Sequence, residues 1–223
     1  MGTHFWFWEI KLETYKTDEE QIEAVKQWWK ENGIPIVVGL VIGLSAIFGW
    51  RGWQAYQQQQ AEAASDIYQT MVNSIRNKND ESARDAARQL LDNYESTTYA
   101  IYAALNLAKL DVENGDFTGA RKQLEYAGQN APTRELRLLA DVRLARVLLE
   151  QEELDAALKL LGSKDFGKLS AIAEELKGDI LSRQGNTDAA RKAYNTALAM
   201  TTPGSNAHEL LSLKLESVSA PVN

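Results

Sequence analysis

The feature that most constrains the fold of this chain is an uncharged run near its start, at residues 34–50. As a helix this run would rise about 25 Å, and extension to Trp53 approaches the roughly 30 Å hydrocarbon core of a bilayer. A core helix in a small domain seldom needs apolar residues on every face. A cleaved signal peptide seldom has so long a polar segment ahead of its apolar part. The sequence therefore predicts an uncleaved transmembrane helix at residues 34–53.

Residue types suited to a membrane flank and fill this run. Four tryptophans are predicted to be interfacial anchors: Trp28, Trp29, Trp50 and Trp53. Small residues at four-residue spacing would let a second transmembrane helix approach closely, although glycine is common in membrane helices in any case; they are Gly39, Gly43, Ser45 and Gly49. Pro35 is predicted to lie in the first turn, where its missing N–H removes no helical hydrogen bond.

Basic residues near the run predict its orientation. Lys16, Lys26 and Lys30 precede it, whereas Arg51 alone follows closely. Because the flank richer in Lys and Arg stays in the cytoplasm, the large C-terminal part is predicted to be translocated. Three regions result: a cytoplasmic segment at 1–33, a transmembrane helix at 34–53 and a soluble domain at 54–223. Thr17 and Glu20 form a capping box that predicts an amphipathic helix in the first region.

The soluble part repeats itself at the spacing of helical-pair repeats, about 34 residues. The repeat is marked by three alanines, Ala120, Ala157 and Ala190. Each follows a turn, and a small residue precedes that turn on what would be the first helix of an antiparallel pair. Small residues allow close helix packing, and large residues fill the groove between helices. The predicted packing residues are Ala108, Ala120, Leu124, Ala145, Ala157, Leu161, Gly178, Ala190 and Tyr194.

Together, the apolar run and the repeats predict an all-α chain. In this prediction, one N-terminal transmembrane helix is followed by a tetratricopeptide-like α-solenoid. A divergent helical pair is expected at residues 61–77 and 82–93. A capping helix is expected to begin at a second capping box, formed by Asn206 and Glu209. The second repeat lacks the turn glycine that the other two carry.

Composition argues against catalysis, metal binding and nucleic-acid binding. The chain has no cysteine and only two histidines, His4 and His208, and it lacks a basic stripe with interleaved aromatics. No spacing typical of a catalytic triad, a phosphate loop or a metal site occurs, so no cofactor is expected. The concave face of the solenoid is the predicted interaction surface. Candidate contacts, which are simply solvated in the alternative interpretation, are Asn106, Lys109, Arg143, Arg146 and Glu175.

Four segments together resemble the YfgM family of ancillary SecYEG translocon subunits. They are residues 17–33 (TDEEQIEAVKQWWKENG), 49–53 (GWRGW), 144–147 (LARV) and 178–185 (GDILSRQG). The resemblance extends over residues 13–215 and rests on order and spacing, since no single motif is specific. Residues 1–12 depart from it.

The resemblance implies a non-enzymatic type II protein of the inner membrane with a periplasmic repeat domain. Its implied partners are the SecYEG translocon and the periplasmic chaperone PpiD, with unfolded envelope proteins as clients of an adaptor or chaperone-like subunit. It also implies a link to a cytoplasmic response regulator. The alternative is a scaffold for cell-envelope assembly or stress signalling that binds no client directly.

Overall fold

The computed structural model describes residues 18–162 and 164–218, and within these ranges every regular element is helical. The helices are α1 (Asp18–Arg76), α2 (Asp80–Asn93), α3 (Thr98–Glu113), α4 (Phe117–Asn130), α5 (Arg134–Glu150), α6 (Leu154–Gly162), α7 (Ser170–Arg183), α8 (Thr187–Ala199) and α9 (Asn206–Ser217). A short 3-10 turn, Gly167–Leu169, precedes α7. The all-α prediction is confirmed.

Helix α1 is one continuous element of 59 residues. The sequence had suggested separate helices before, within and after the apolar run. Pro35 lies inside α1 and not in its first turn, so that prediction was wrong. Its missing N–H removes one hydrogen bond, and apolar helices that cross membranes tolerate prolines more often than soluble helices do. The predicted cap at Thr17 lies outside the described residues.

The apolar part of α1 is long and hydrophobic enough to cross a membrane. Its best 18-residue window has a mean hydropathy of 2.1, and almost none of that window is buried. The chain divides into two compact units between Gln57 and Gln58. This division lies four residues beyond the predicted boundary at 53/54.

The second unit is built from consecutive helices that pack against their neighbours. Helix α3 packs on α4, α4 on α5, and α7 on α8, while α9 closes the series against α8. The core between them is made largely of alanine and leucine. Fully buried large side chains, each contributing about 1.5–3 kcal/mol to folding, include Met71, Leu90, Ile101, Leu124, Leu161, Leu176, Ile180 and Leu211.

All nine residues singled out as repeat packing positions are buried. None of the eight with a side chain exposes more than 3% of its surface, and Gly178 is buried as well. The alanines let neighbouring helices approach, and Leu124, Leu161 and Tyr194 fill the space between them.

The turns inside the repeats follow the glycine pattern. Gly115 and Gly185 adopt left-handed φ angles of 76° and 77°. The next residues, Asp116 and Asn186, cap the following helices by accepting hydrogen bonds from the Gly119 and Ala189 amides at 2.8 and 3.3 Å. In the repeat without a turn glycine, Glu152 adopts the same left-handed conformation, with φ 60°.

The start of α9 differs from the prediction by one residue. The N-cap is Ser205, whose Oγ accepts a hydrogen bond from the His208 amide at 3.2 Å, and Asn206 is the first helical residue. Serine and asparagine are both good N-caps. The sequence alone therefore did not decide between the two adjacent positions.

Candidate interaction groove

A groove of about 430 Å³ lies between α3 and α5. Helix α4 packs against both and provides its floor. Pockets that bind small molecules are usually of this size and mainly apolar, with a few polar groups. The groove is lined by Ala108, Lys109, Val112, Glu113, Phe117, Leu124, Arg143, Arg146, Val147 and Glu150. We refer to this set as the α3/α5 groove.

Helical periodicity explains which residues of α5 face the groove. Arg143, Arg146, Val147 and Glu150 stand at positions i, i+3, i+4 and i+7, which form one face over two turns. Helix α3 contributes Ala108 and Lys109 and, one turn later, Val112 and Glu113. Both walls therefore come from the C-terminal halves of their helices.

The floor and walls of the groove are apolar. Leu124 and Val147 are buried, exposing 2% and 3% of their surfaces, and Phe117 is half-buried. Val112 is 40% exposed, because its side chain faces the open groove. An apolar side chain from another molecule would therefore find open contact surface at Val112 on α3 and at Phe117 on α4.

The groove also carries an uneven charge. Lys109 pairs with Glu113 at 3.6 Å along α3. Arg143 Nη1 donates a hydrogen bond to the Leu105 carbonyl oxygen at 3.3 Å. In the described ranges, no carboxylate forms an ion pair with Arg143 or Arg146. Burial lowers the pKa of Arg143, and the nearby Arg146 charge lowers it further. The two arginines thus form an uncompensated cationic pair beside apolar surface.

Three of the five contacts proposed from the sequence line the groove: Lys109, Arg143 and Arg146. Asn106 does not, and its side-chain amide donates instead to the Tyr102 carbonyl oxygen at 2.8 Å. Glu175 lies on α7, where its Oε1 is 2.7 Å from Lys214 Nζ.

Sequence reasoning missed several lining residues. Val112, Glu113 and Phe117 end α3 and begin α4, and Glu150 ends α5. A signal was available for Glu150, because it follows Arg143 by seven residues and Arg146 by four on the same helical face. Phe117 had no comparable signal, since its place depends on how α4 packs under α3.

The groups around Glu175 hold α9 in place. Lys214 Nζ also lies 2.8 Å from both carboxylate oxygens of Asp179, and the Tyr194 hydroxyl donates to Asp179 Oδ1 at 2.8 Å. Burial opposes the charge on Lys214, but its bonds to Asp179 and Glu175 outweigh this and raise its pKa. Burial also raises the pKa of Tyr194, and Asp179 adds to the shift. These residues serve the packing of α7, α8 and α9.

The residues assigned to membrane contact are exposed along α1. Each of the four tryptophans shows more than half of its surface, and the rings of Trp50 and Trp53 lie 5.3 Å apart. Trp29 covers Gly33, where an added Cβ would come within 3.1 Å of the indole ring. An added Cβ at Gly39, Gly43 or Gly49 would meet nothing within 4 Å in the described part of the chain. Ser45 is exposed as well.

Chemically, the α3/α5 groove offers binding rather than reactive groups. Its titratable side chains are Lys, Arg and Glu. His208 lies in α9, with its Nδ1 3.1 Å from Thr201 Oγ1, and His4 lies outside the described residues. Among the residues whose structure is described, no three His, Asp or Glu side chains are grouped to hold a metal ion.

Comparison with known proteins gives consistent matches. Residues 26–220 match the family model of a tetratricopeptide repeat-like domain. A Haemophilus influenzae protein named "Ancillary SecYEG translocon subunit" is 35% identical over 82% of this chain and 90% of its own length. Proteins of the same name from Escherichia coli and Neisseria gonorrhoeae are 31% and 27% identical, covering 93% and 90% of this chain and 100% and 97% of their own lengths. With an apolar helix followed by stacked helical pairs, this chain belongs to the YfgM family of ancillary SecYEG translocon subunits.

Proposed function

We propose that this protein is a membrane-anchored adaptor of the Sec translocon, which holds partner proteins through its repeat domain. The observation that carries the proposal is its similarity, over most of its length, to relatives named as ancillary SecYEG translocon subunits. The apolar part of α1 and the α3/α5 groove support it, because an anchor and an interaction surface are the two parts such an adaptor needs.

The proposed location is the inner membrane, with the N-terminus in the cytoplasm and the repeat domain in the periplasm. The excess of lysine before the apolar run supports this orientation. Single cysteines test it, because the chain has none of its own. In spheroplasts, a membrane-impermeant maleimide should label Glu135→Cys at once and Lys26→Cys only after lysis. The reverse pattern would contradict the orientation.

The proposed partners are SecYEG and the periplasmic chaperone PpiD, with emerging envelope proteins as clients. The proposed mode of action is binding without catalysis, in which the helical pairs present a surface to extended segments. A contact between the cytoplasmic segment and a response regulator belongs to the same proposal.

Crosslinking in native membranes tests the choice of partners. A photoreactive residue at Lys122 or Arg137, both exposed on the repeat domain, is expected to yield adducts with SecYEG or PpiD. Well-expressed protein that yields neither would refute translocon association. Adducts dominated by outer-membrane or peptidoglycan assembly proteins would favour the envelope scaffold instead.

A further inference from the structure

We propose that the α3/α5 groove binds a short segment of a partner protein in which a bulky apolar residue is followed or preceded by a carboxylate. This inference rests on the proposed adaptor function and adds the chemistry of the segment that the adaptor holds. Two properties of the groove carry it: apolar surface left open, and a cationic pair that has no acidic partner within residues 18–162 and 164–218.

The apolar half of the groove explains the bulky residue. Val112 is 40% exposed although it lies between the buried Leu124 and Val147 and the half-buried Phe117. The open apolar surface at Val112 on α3 and Phe117 on α4 is stabilised when an aliphatic or aromatic side chain displaces water from it. The volume of about 430 Å³ suits a few side chains and not a folded domain.

The charged half explains the carboxylate. Arg143 and Arg146 lie beside each other on one face of α5, and within the described ranges no Asp or Glu side chain forms an ion pair with either. Lys109 is already engaged by Glu113. The chain as a whole has a net charge of −7, so the cationic pair is a local feature that opposes the overall field. Both arginines are exposed, and a guanidinium group is well suited to bind a carboxylate in a two-pronged geometry.

The acidic residues of the groove also restrict where the carboxylate of the bound segment can lie. Glu113 and Glu150 are the last residues of α3 and α5, so each wall of the groove ends in an acidic side chain. Arg143 lies two turns before Glu150 on the same face. A carboxylate placed near Glu150 would be repelled. The acidic residue of the segment is therefore expected between Arg143 and Arg146, on the side of the pair away from Glu150, with its apolar neighbour over Val112.

Two labelled peptides test this chemistry on the full-length protein in lipid nanodiscs. The acidic probe is fluorescein-Gly-Ser-Leu-Phe-Glu-Asp-Gly-Ser, and its match replaces Glu-Asp by Lys-Lys. Fluorescence anisotropy should show at least tenfold tighter binding of the acidic probe. Arg146→Glu should weaken acidic-probe binding tenfold or more and strengthen lysine-probe binding. Val112→Ser should weaken binding of the acidic probe several-fold.

The matched control is Arg137→Glu, which makes the same charge change on the same helix. Arg137 precedes Arg146 by nine residues, or half a turn around α5, and it does not line the groove. The affinity of Arg137→Glu for both probes should equal that of the unaltered protein. Circular dichroism melts of each variant separate loss of binding from loss of fold.

Several results would overturn the inference. They are equal affinity for the two probes, no binding of the acidic probe, or equal losses in Arg146→Glu and Arg137→Glu. A concentration-dependent rise in sedimentation coefficient that Arg146→Glu abolishes would place a second copy of the chain in the groove instead. If the probes fail while crosslinks to SecYEG persist, this inference is wrong and the proposed function stands. If crosslinks are absent, the proposed function is wrong whatever the probes do.

Discussion

Gly178 on α7 lies directly under the ring of Tyr194 on α8. A Cβ added at Gly178 would come within 2.9 Å of Tyr194 Cζ and still nearer to the adjacent ring edge, distances that real Cβ atoms essentially never show. The Tyr194 hydroxyl donates a hydrogen bond to Asp179, the residue next to Gly178. Glycine at 178 is therefore required by the closeness of the two helices and not by a turn.

Gly178→Ala should destabilise the repeat domain by about 1–3 kcal/mol, since the ring is fixed by its hydrogen bond and cannot move aside without strain. Urea unfolding of the full-length protein measures the change. Gly128→Ala on α4 is the control, because its Cβ would meet Asp141 Oδ1 at an ordinary 3.6 Å. That variant should gain about 0.5–1 kcal/mol from helix propensity. Equal effects of the two alanines would contradict the packing argument.

Glu152→Gly should stabilise the protein. The left-handed conformation costs a non-glycine residue about 1–2 kcal/mol, which exceeds the greater chain entropy that glycine loses on folding, about 0.5–1 kcal/mol. The ion pair that Glu152 forms with Arg183 is exposed on both sides and contributes little. Thermal unfolding should show a higher Tm.

The control for Glu152→Gly is Lys122→Gly, at an exposed position inside α4. The same new residue should lower the free energy of unfolding there by about 1 kcal/mol. A loss of stability in both variants would mean that φ at Glu152 is not strained.

Lys214→Met should loosen α9 from α7. Lys214 Nζ lies within 2.8 Å of carboxylate oxygens of Glu175 and Asp179. Removing these two contacts is expected to lower the free energy of unfolding by about 2 kcal/mol. In Lys214→Met, the rate of amide hydrogen exchange should increase more in α9 than in the other helices. Lys192→Met, on the exposed face of α8, should leave exchange unchanged. Unaltered exchange in Lys214→Met would refute the role of this contact.

The contribution of Lys214 to stability is expected to depend on pH. Because the folded-state pKa of Lys214 is raised above its ordinary value of 10.5, its contribution to stability is fully present below that value. The contribution is lost as the pH rises through the folded pKa. The difference in Tm between the unaltered protein and Lys214→Met should thus be constant from pH 7 to 9 and shrink in strong alkali. A difference that grows with pH would contradict the direction of the shift.

Gly39 and Gly43, one turn apart on one face of α1, predict close approach of a second membrane helix. Gly43→Cys should crosslink to a transmembrane segment of the translocon more efficiently than Ile42→Cys, which points about 100° away around the helix. Gly43→Leu should reduce recovery of that partner without changing the Tm of the repeat domain, because an added Cβ meets nothing within 4 Å among the described residues. Equal crosslinking from both cysteines would argue against a glycine interface.

The sequence predicted those features that depend on residues close together in the chain or on a regular repeat along it. The uncharged run at 34–50 was enough to predict an apolar helix, and the alanine period was enough to predict stacked helical pairs. Gly115 and Gly185 indicated their turns, since only glycine enters the left-handed region without a steric cost. Local sterics, hydrophobic periodicity and repeat spacing can all be read directly from the sequence.

Only the tertiary structure decided the rest. Glu152 takes a glycine's conformation because the helices on either side of it are held by packing along the whole repeat. The α3/α5 groove exists because α4 sets the spacing of its two walls, and this brings Val112 and Phe117 beside Arg143. Glu175 faces Lys214 for the same reason, since 39 residues separate them along the chain. Such contacts depend on how helices pack at a distance, and no local pattern in the sequence records that spacing.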